Sequence, residues 1–158
     1  MTTAMLHVLF HLDDQRYALD TGRLIEIVPF VELRALPRAP VCVAGLFDYR
    51  GRTVPVIDLT ALTLGRPSRV LHSTRILVID HPLTAGGNRP LGLLAEQVVE
   101  TLKLAPEAFT DTGVEIPDAQ YLGRVARDGR GLLQAVEADA LLTPEVEALL
   151  FGDAAACS

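Results

Sequence analysis

The feature that most constrains this chain is how often it is interrupted. Its apolar residues come in period-two runs or brief continuous blocks, broken at roughly 8–12-residue intervals by polar turns bearing Gly or Pro. Leu6, Val8, Phe10 and Leu12 alternate with His7, Leu9 and His11, the pattern of a strand with one well-buried face. Asp13-Asp14-Gln15 turns the chain, and Tyr17-Ala18-Leu19 returns as an antiparallel partner. Leu24-Ile25-Glu26-Ile27-Val28 makes a third strand that ends at Pro29, and Leu36-Pro37-Arg38-Ala39-Pro40 is a proline-stiffened loop. Val41 to Phe47 and Thr53 to Leu59 flank Asp48-Tyr49-Arg50-Gly51-Arg52, where Gly51 supplies the positive φ of a hairpin. Pro55 inside the returning strand predicts an edge or bulged position. Asp58 caps a short apolar segment, Leu59 to Leu64, that Gly65 terminates.

The second half repeats this grammar. Arg75 to Asp80 is a strand, Thr84-Ala85-Gly86-Gly87-Asn88 a flexible turn, and Leu91-Gly92-Leu93-Leu94 the return. Val98, Leu102 and Leu104 continue the β pattern before a long polar connection, Ala105 to Ala119, with Pro106 and Pro117. Tyr121 to Val125 and Leu132 to Val136 flank a second hairpin, Arg127-Asp128-Gly129-Arg130-Gly131. A short helix closes the chain over Pro144 to Phe151, with Thr143 as cap, Pro144 first, Glu145 and Glu147 early, and Gly152 after it. An internal echo links Gly45, an Arg/Gly turn, Ile57-Asp58 and Leu62 to Gly123, an Arg/Gly turn, Val136-Glu137 and Leu141. No helix is long enough for a βαβ crossover, so two small barrels packed together fit better than a parallel sheet.

Composition narrows the function. Of 158 residues, 49% are hydrophobic and the formal net charge is -6, a balance that excludes disorder. The acidic excess argues against nucleic acid or an anionic membrane as partner, since both are read by basic patches. Cys42 lies in an apolar run and Cys157 one residue from the end, so no disulfide framework is expected and a reduced, cytoplasmic protein is. The opening Met1-Thr2-Thr3-Ala4-Met5 lacks the basic and apolar regions of a signal peptide, and no stretch approaches the ~20 apolar residues of a membrane span.

A search for chemistry returns little. His7 and His11 on one strand face stand about 13–14 Å apart, too far to share a metal. Asp80-His81 invites a hydrolase reading, but no nucleophile accompanies it, and Ser68 and Ser73 lie in a polar loop without a G-x-S-x-G elbow. Cys42 has no neighbouring charge to activate it, and Gly86-Gly87 lacks the lysine of a phosphate-binding loop. No catalytic residue, cofactor site or metal site is expected; a binding or scaffolding module is. Two charges stand out instead. Glu26 interrupts an apolar strand and needs either a partner or an exit to water, and Arg50 at the hairpin tip is one candidate partner among several.

The run Gly45-Leu46-Phe47-Asp48-Tyr49-Arg50-Gly51-Arg52-Thr53-Val54-Pro55-Val56-Ile57-Asp58-Leu59 closely resembles the signature of the CheW-like family of bacterial chemosensory adaptors. Its most specific part is Arg50-Gly51, then Pro55-Val56-Ile57-Asp58-Leu59, and weaker matches flank it in register from residue 5 to 143. The resemblance implies a mainly β fold, two five-stranded SH3-like β-barrels around a shared core with short helices. They would form one CheW-like domain over 5–143, divided near 13–74 and 75–143 with the N-terminal strand between, then a helix at 144–152 and a tail at 153–158. It implies no catalysis. It implies coupling of the cytoplasmic tips of methyl-accepting chemoreceptors to the regulatory domain of a CheA-type histidine kinase, with other CheW-like proteins as further ring partners and recruitment to membrane-associated arrays. By position, Glu26 and Arg50 match a charged pair near the receptor-binding surface, Leu24 a receptor-facing apolar site, and Gly45 and Gly51 motif glycines. Asp48-Tyr49 departs from the usual Asn-Leu or Asn-Tyr before the Arg-Gly pair. A scaffold of a non-flagellar system (surface sensing, pilus motility or cyclic-di-GMP output) is the alternative, and a small hydrolase using Asp80 and His81 the remotest.

Overall fold

Residues 4–114 and 116–152 are described by the computed structural model; the tail at 153–158, with Cys157, and the first three residues lie outside them. Eleven strands follow one another among these residues: β1 Met5–Leu12, β2 Gln15–Asp20, β3 Leu24–Pro29, β4 Val43–Tyr49, β5 Arg52–Asp58, β6 Arg75–Pro82, β7 Asn88–Ala95, β8 Val98–Leu104, β9 Phe109–Thr110, β10 Leu122–Asp128 and β11 Gly131–Val136. Two helices, α1 Leu59–Leu64 and α2 Pro144–Phe151, and four single 3-10 turns complete the fold.

The strands form a six-stranded sheet in the order β8-β1-β2-β11-β10-β9 and a five-stranded sheet in the order β3-β6-β7-β5-β4. The fold is mainly β in two sheet subdomains, one of them with a strand more than expected because the connection after β8 adds the short β9 to β10. The sheets also cut across the boundary expected near residues 74 and 75. The first is built from both ends of the chain, joined where β11 runs parallel to β2, while β6 and β7 stay with β3 and β5. A strand joins whichever neighbour completes its hydrogen-bond ladder, and that partner need not lie in the same half of the sequence.

Three hydrophobic clusters explain the arrangement. Leu9, Ala18, Leu104, Phe109, Ala126 and Leu133 fill the six-stranded side, and Phe47, Val54, Val56, Ile76, Val78 and Leu94 the five-stranded side. Between them a shared core takes Val8, Phe10, Leu12 and Leu19 from one sheet and Ile57, Leu77, Ile79, Leu91 and Leu93 from the other. β1 therefore buries two faces where the sequence pattern predicted one, Leu9 in one cluster and Val8, Phe10 and Leu12 in the shared core. His7, expected on the open face, is buried; its Nδ1 bonds the Met5 carbonyl at 2.9 Å and its ring lies 5.3 Å from that of Phe109. β6 likewise presents Ile76 and Val78 to one cluster and Leu77 and Ile79 to another. Each such side chain contributes roughly 1.5–3 kcal/mol by leaving water.

The internal echo has a structural counterpart. In both units a hairpin strand (β5, β11) is followed by a backbone bond reaching back to the residue before its partner strand, Asp58 N to Cys42 O at 2.7 Å and Glu137 N to Tyr121 O at 2.6 Å. Both hairpins carry a register shift near their glycine, between Val43 and Gly45 and between Leu122 and Val125. Pro55 lies in an interior strand, next to the register shift opposite Val56 and Ile57, so of the edge and bulged alternatives the structure takes the bulged one. The residue is tolerated because β7 pairs only with Val56–Asp58, so the proline precedes that ladder. α2 docks Val146, Leu150 and Phe151 on the shared core. Thr143 Oγ1 accepts from the Val146 amide at 3.2 Å, as a helix cap should.

Candidate partner-binding site

β3 and β4 are the two edge strands of the five-stranded sheet. The tip of the β4–β5 hairpin reaches β3, and there Arg50 Nη2 donates to Glu26 Oε1, closing an ion pair across the seam. The same oxygen accepts from the Tyr49 hydroxyl at 3.0 Å. The pair sits at the surface: the side chains are 73% exposed for Arg50 and 36% for Glu26. Of the two solutions open to Glu26 in the sequence, the structure takes both, a partner and partial access to water.

The tip is a two-residue turn. Arg50 and Gly51 both have positive φ, 51° and 83°, because a hairpin loop whose twist matches its strands requires that conformation at both central residues. The sequence reading assigned it to Gly51 alone. Asp48 Oδ1 accepts from the Gly51 amide at 2.8 Å and helps hold Arg50 in this uncommon region. Gly45 is needed for a different reason. At φ 149°, a Cβ there would stand 2.5 Å from the Arg34 carbonyl oxygen. That close approach lets Arg34 and Leu46 exchange backbone bonds of 2.8 and 2.9 Å, covering part of the exposed edge of β4.

Of the five residues singled out, the structure joins Glu26, Arg50 and Gly51. Leu24, at the start of β3, is half-buried and packs against the shared core. Ile25 and Ile27 are instead the exposed apolar residues of that strand. Gly45 serves the Arg34 contact away from the tip. Tyr49 was quoted only as part of the motif, and its place beside Arg50 was the signal for its contact with Glu26. Also missed was a buried carboxylate, Glu96, wholly inaccessible to solvent. It accepts from Arg66 Nη1 at 2.9 Å and from the Arg69 amide at 2.5 Å, while Arg66 also pairs with Asp13 in the β1–β2 turn. Burial would raise the pKa of Glu96, but the two arginines outweigh it and hold the group below the usual range. A lone acid just after an apolar strand, with arginines in a facing loop, was the available clue.

The rival chemistry does not assemble. His81 belongs to β6, one residue past the expected strand end at Asp80. The residue is 1% exposed, its Nε2 lies 3.1 Å from Glu147 Oε1, and Phe151 stacks on its ring at 5.9 Å. Asp80 Oδ2 accepts from Asn88 instead. Burial pushes the Cys42 thiol up, away from nucleophilic character. Among the described residues, no group of three or more His, Cys, Asp or Glu is placed to hold a metal ion, and no helix is long and apolar enough to cross a membrane.

The family model described as the CheW-like domain matches residues 6–146. The chain belongs to the CheW-like family. It is 25% identical over 139 residues to the chemotaxis protein CheW of Treponema pallidum, covering 80% of this chain and 75% of that one. Against the CheW of Klebsiella aerogenes it is 24% identical over 152 residues, covering 94% and 88%. The crystal structure of the scaffolding protein TtCheW from Thermoanaerobacter tengcongensis superposes with a TM-score of 0.77 at 19% identity, over 92% of both chains, and shows the same fold. As a CheW-like chain, this protein is a non-catalytic chemotaxis scaffold, and the hydrolase alternative falls away.

Proposed function

We propose that this scaffold couples the cytoplasmic tips of methyl-accepting chemoreceptors to the regulatory domain of a CheA-type histidine kinase, and is recruited through them, with other CheW-like proteins, to membrane-associated arrays. The Glu26–Arg50 pair carries the reading. It closes the seam at an exposed hairpin tip, at positions that match the family's charged pair, on an edge strand whose other face carries the exposed Ile25 and Ile27. An edge strand that carries exposed apolar side chains and a fixed charge pair offers a helical receptor tip both affinity and register. Leu24, half-buried on the same strand, and Gly51 at the hairpin tip belong to that surface, and Gly45 shapes the edge of β4 away from the tip.

The test is capture of the cognate receptor tip and kinase regulatory domain by the intact chain, followed by Glu26→Ala and Arg50→Ala. An exposed pair contributes about 0.2–1 kcal/mol to folding, so both variants keep nearly wild-type stability. An interface side chain that carries binding energy costs more than about 1 kcal/mol when truncated, so receptor binding weakens at least about fivefold. Failure of the wild type to bind either partner overturns the proposal; wild-type binding by both variants overturns the assigned surface.

A further inference from the structure

We propose that Tyr49 is the positioning residue of the Glu26–Arg50 pair, fixing both charges in the orientation a partner meets; this rests on the binding surface proposed above. One side chain touches both members. Its hydroxyl donates to Glu26 Oε1 at 3.0 Å, and its ring lies under the Arg50 guanidinium, 5.3 Å from Cζ to the ring centroid. Its other contacts run inward. The Phe47 ring is 6.0 Å away and tilted at 51°, and the Tyr49 side chain packs against the cluster of the five-stranded side. The charged pair is thus anchored to a buried core through a rigid group with two rotatable bonds.

The need for such an anchor follows from the exposure of the pair. Arg and Glu on long stems at a surface sample many rotamers, and holding them in one costs most of what their attraction returns. An aromatic ring already fixed by packing removes that freedom from the guanidinium by a cation–π contact and from the carboxylate by a directed bond. Both donors converge on Oε1, and Oε2 has no partner among the described residues. It is therefore left, with the outer edge of the guanidinium, for the partner. Burial first, and then the bond to Glu26, push the Tyr49 hydroxyl above the usual phenol range against the opposing pull of Arg50.

Two measurements test this separately from the adaptor role. With ring-labelled tyrosine, NMR follows Tyr49 through its titration in the free protein, where no partner is needed. The Tyr49 midpoint should lie above that of an ordinary tyrosine and fall toward it in Glu26→Gln, while Tyr17 and Tyr121 stay unchanged. A midpoint indifferent to Glu26→Gln overturns the inference whatever the chain binds. The second measurement is affinity for the receptor tip. Tyr49→Phe keeps the ring and loses the bond, and should weaken binding roughly three- to tenfold in the wild type with no further loss in the Glu26→Ala background. Tyr49→Leu, which also loses the ring, should weaken it further at an unchanged urea m-value. Unaltered binding by Tyr49→Phe, or equal losses with and without Glu26, overturns the positioning role. A wild type that binds no receptor tip counts against the adaptor reading, and the titration alone then decides the role of Tyr49.

Discussion

Asp58, the second acid of the signature run, is a folding residue by its contacts, and replacing it has a cost that can be worked out bond by bond. The residue is 4% exposed. Oδ1 accepts from the Thr60 and Ala61 amides at 3.0 and 3.2 Å, capping α1, and from Ser68 Oγ at 2.5 Å. Oδ2 accepts from the Ser68 amide at 2.8 Å, which ties the loop after α1 back onto it. Asp58→Ala removes the cap, at about 1–2 kcal/mol. It also strips the Ser68 amide of its acceptor, at about 1–3 kcal/mol and toward the lower end because Ser68 is only half-buried. The sum is about 2–4 kcal/mol, a fall in melting temperature of roughly 5–15 °C for a domain of this size. Asp58→Asn retains an acceptor for the helix but sets its own amide group against the Ser68 N–H, and should lose about half as much. Urea unfolding followed by circular dichroism measures both. A loss under about 0.5 kcal/mol for Asp58→Ala, the range of an ordinary surface change, would refute the reasoning.

Gly45→Ala places a methyl group 2.5 Å from the Arg34 oxygen. It should destabilise by about 1–3 kcal/mol and speed hydrogen exchange at the Arg34 and Leu46 amides ahead of the rest of the sheet. Asp128 is held well below the usual carboxylate range, chiefly by the Arg16 guanidinium at 2.7 Å. Because its folded pKa lies below the unfolded one, its stabilisation is complete at neutral pH and drains away as pH falls below about 4. The stability gap between wild type and Asp128→Asn should close over that range, and a gap constant down to pH 2 would contradict the pairing. Phe151 stacks on His81 and lies beneath Arg89 at 5.8 Å, while Glu147 bonds His81 and the Thr84 amide. Phe151→Ala should therefore loosen α2, seen as faster exchange over its amides with β6 and β7 unaffected.

What could be read from the sequence was whatever is decided within a few residues. The Asp58 cap and Gly65 stop of α1, the Thr143-Pro144 start of α2 and the two Arg/Gly hairpins depend on contacts from one turn of chain to the next, and each lies where its residues predicted. The family resemblance also pointed to the Glu26–Arg50 pair, although by position rather than by any local rule. Tertiary structure decided what joins distant segments: Glu26 to Arg50 across 24 residues, Glu96 to Arg66 across 30, and His81 to Glu147 across 66. It also decided that β1 would be buried on both sides, His7 with it, and that β6 and β7 would join the first-half strands in the five-stranded sheet. Alternation along a strand reports that it has two faces; only the other sheet, arriving from elsewhere in the chain, determines whether the second face meets water.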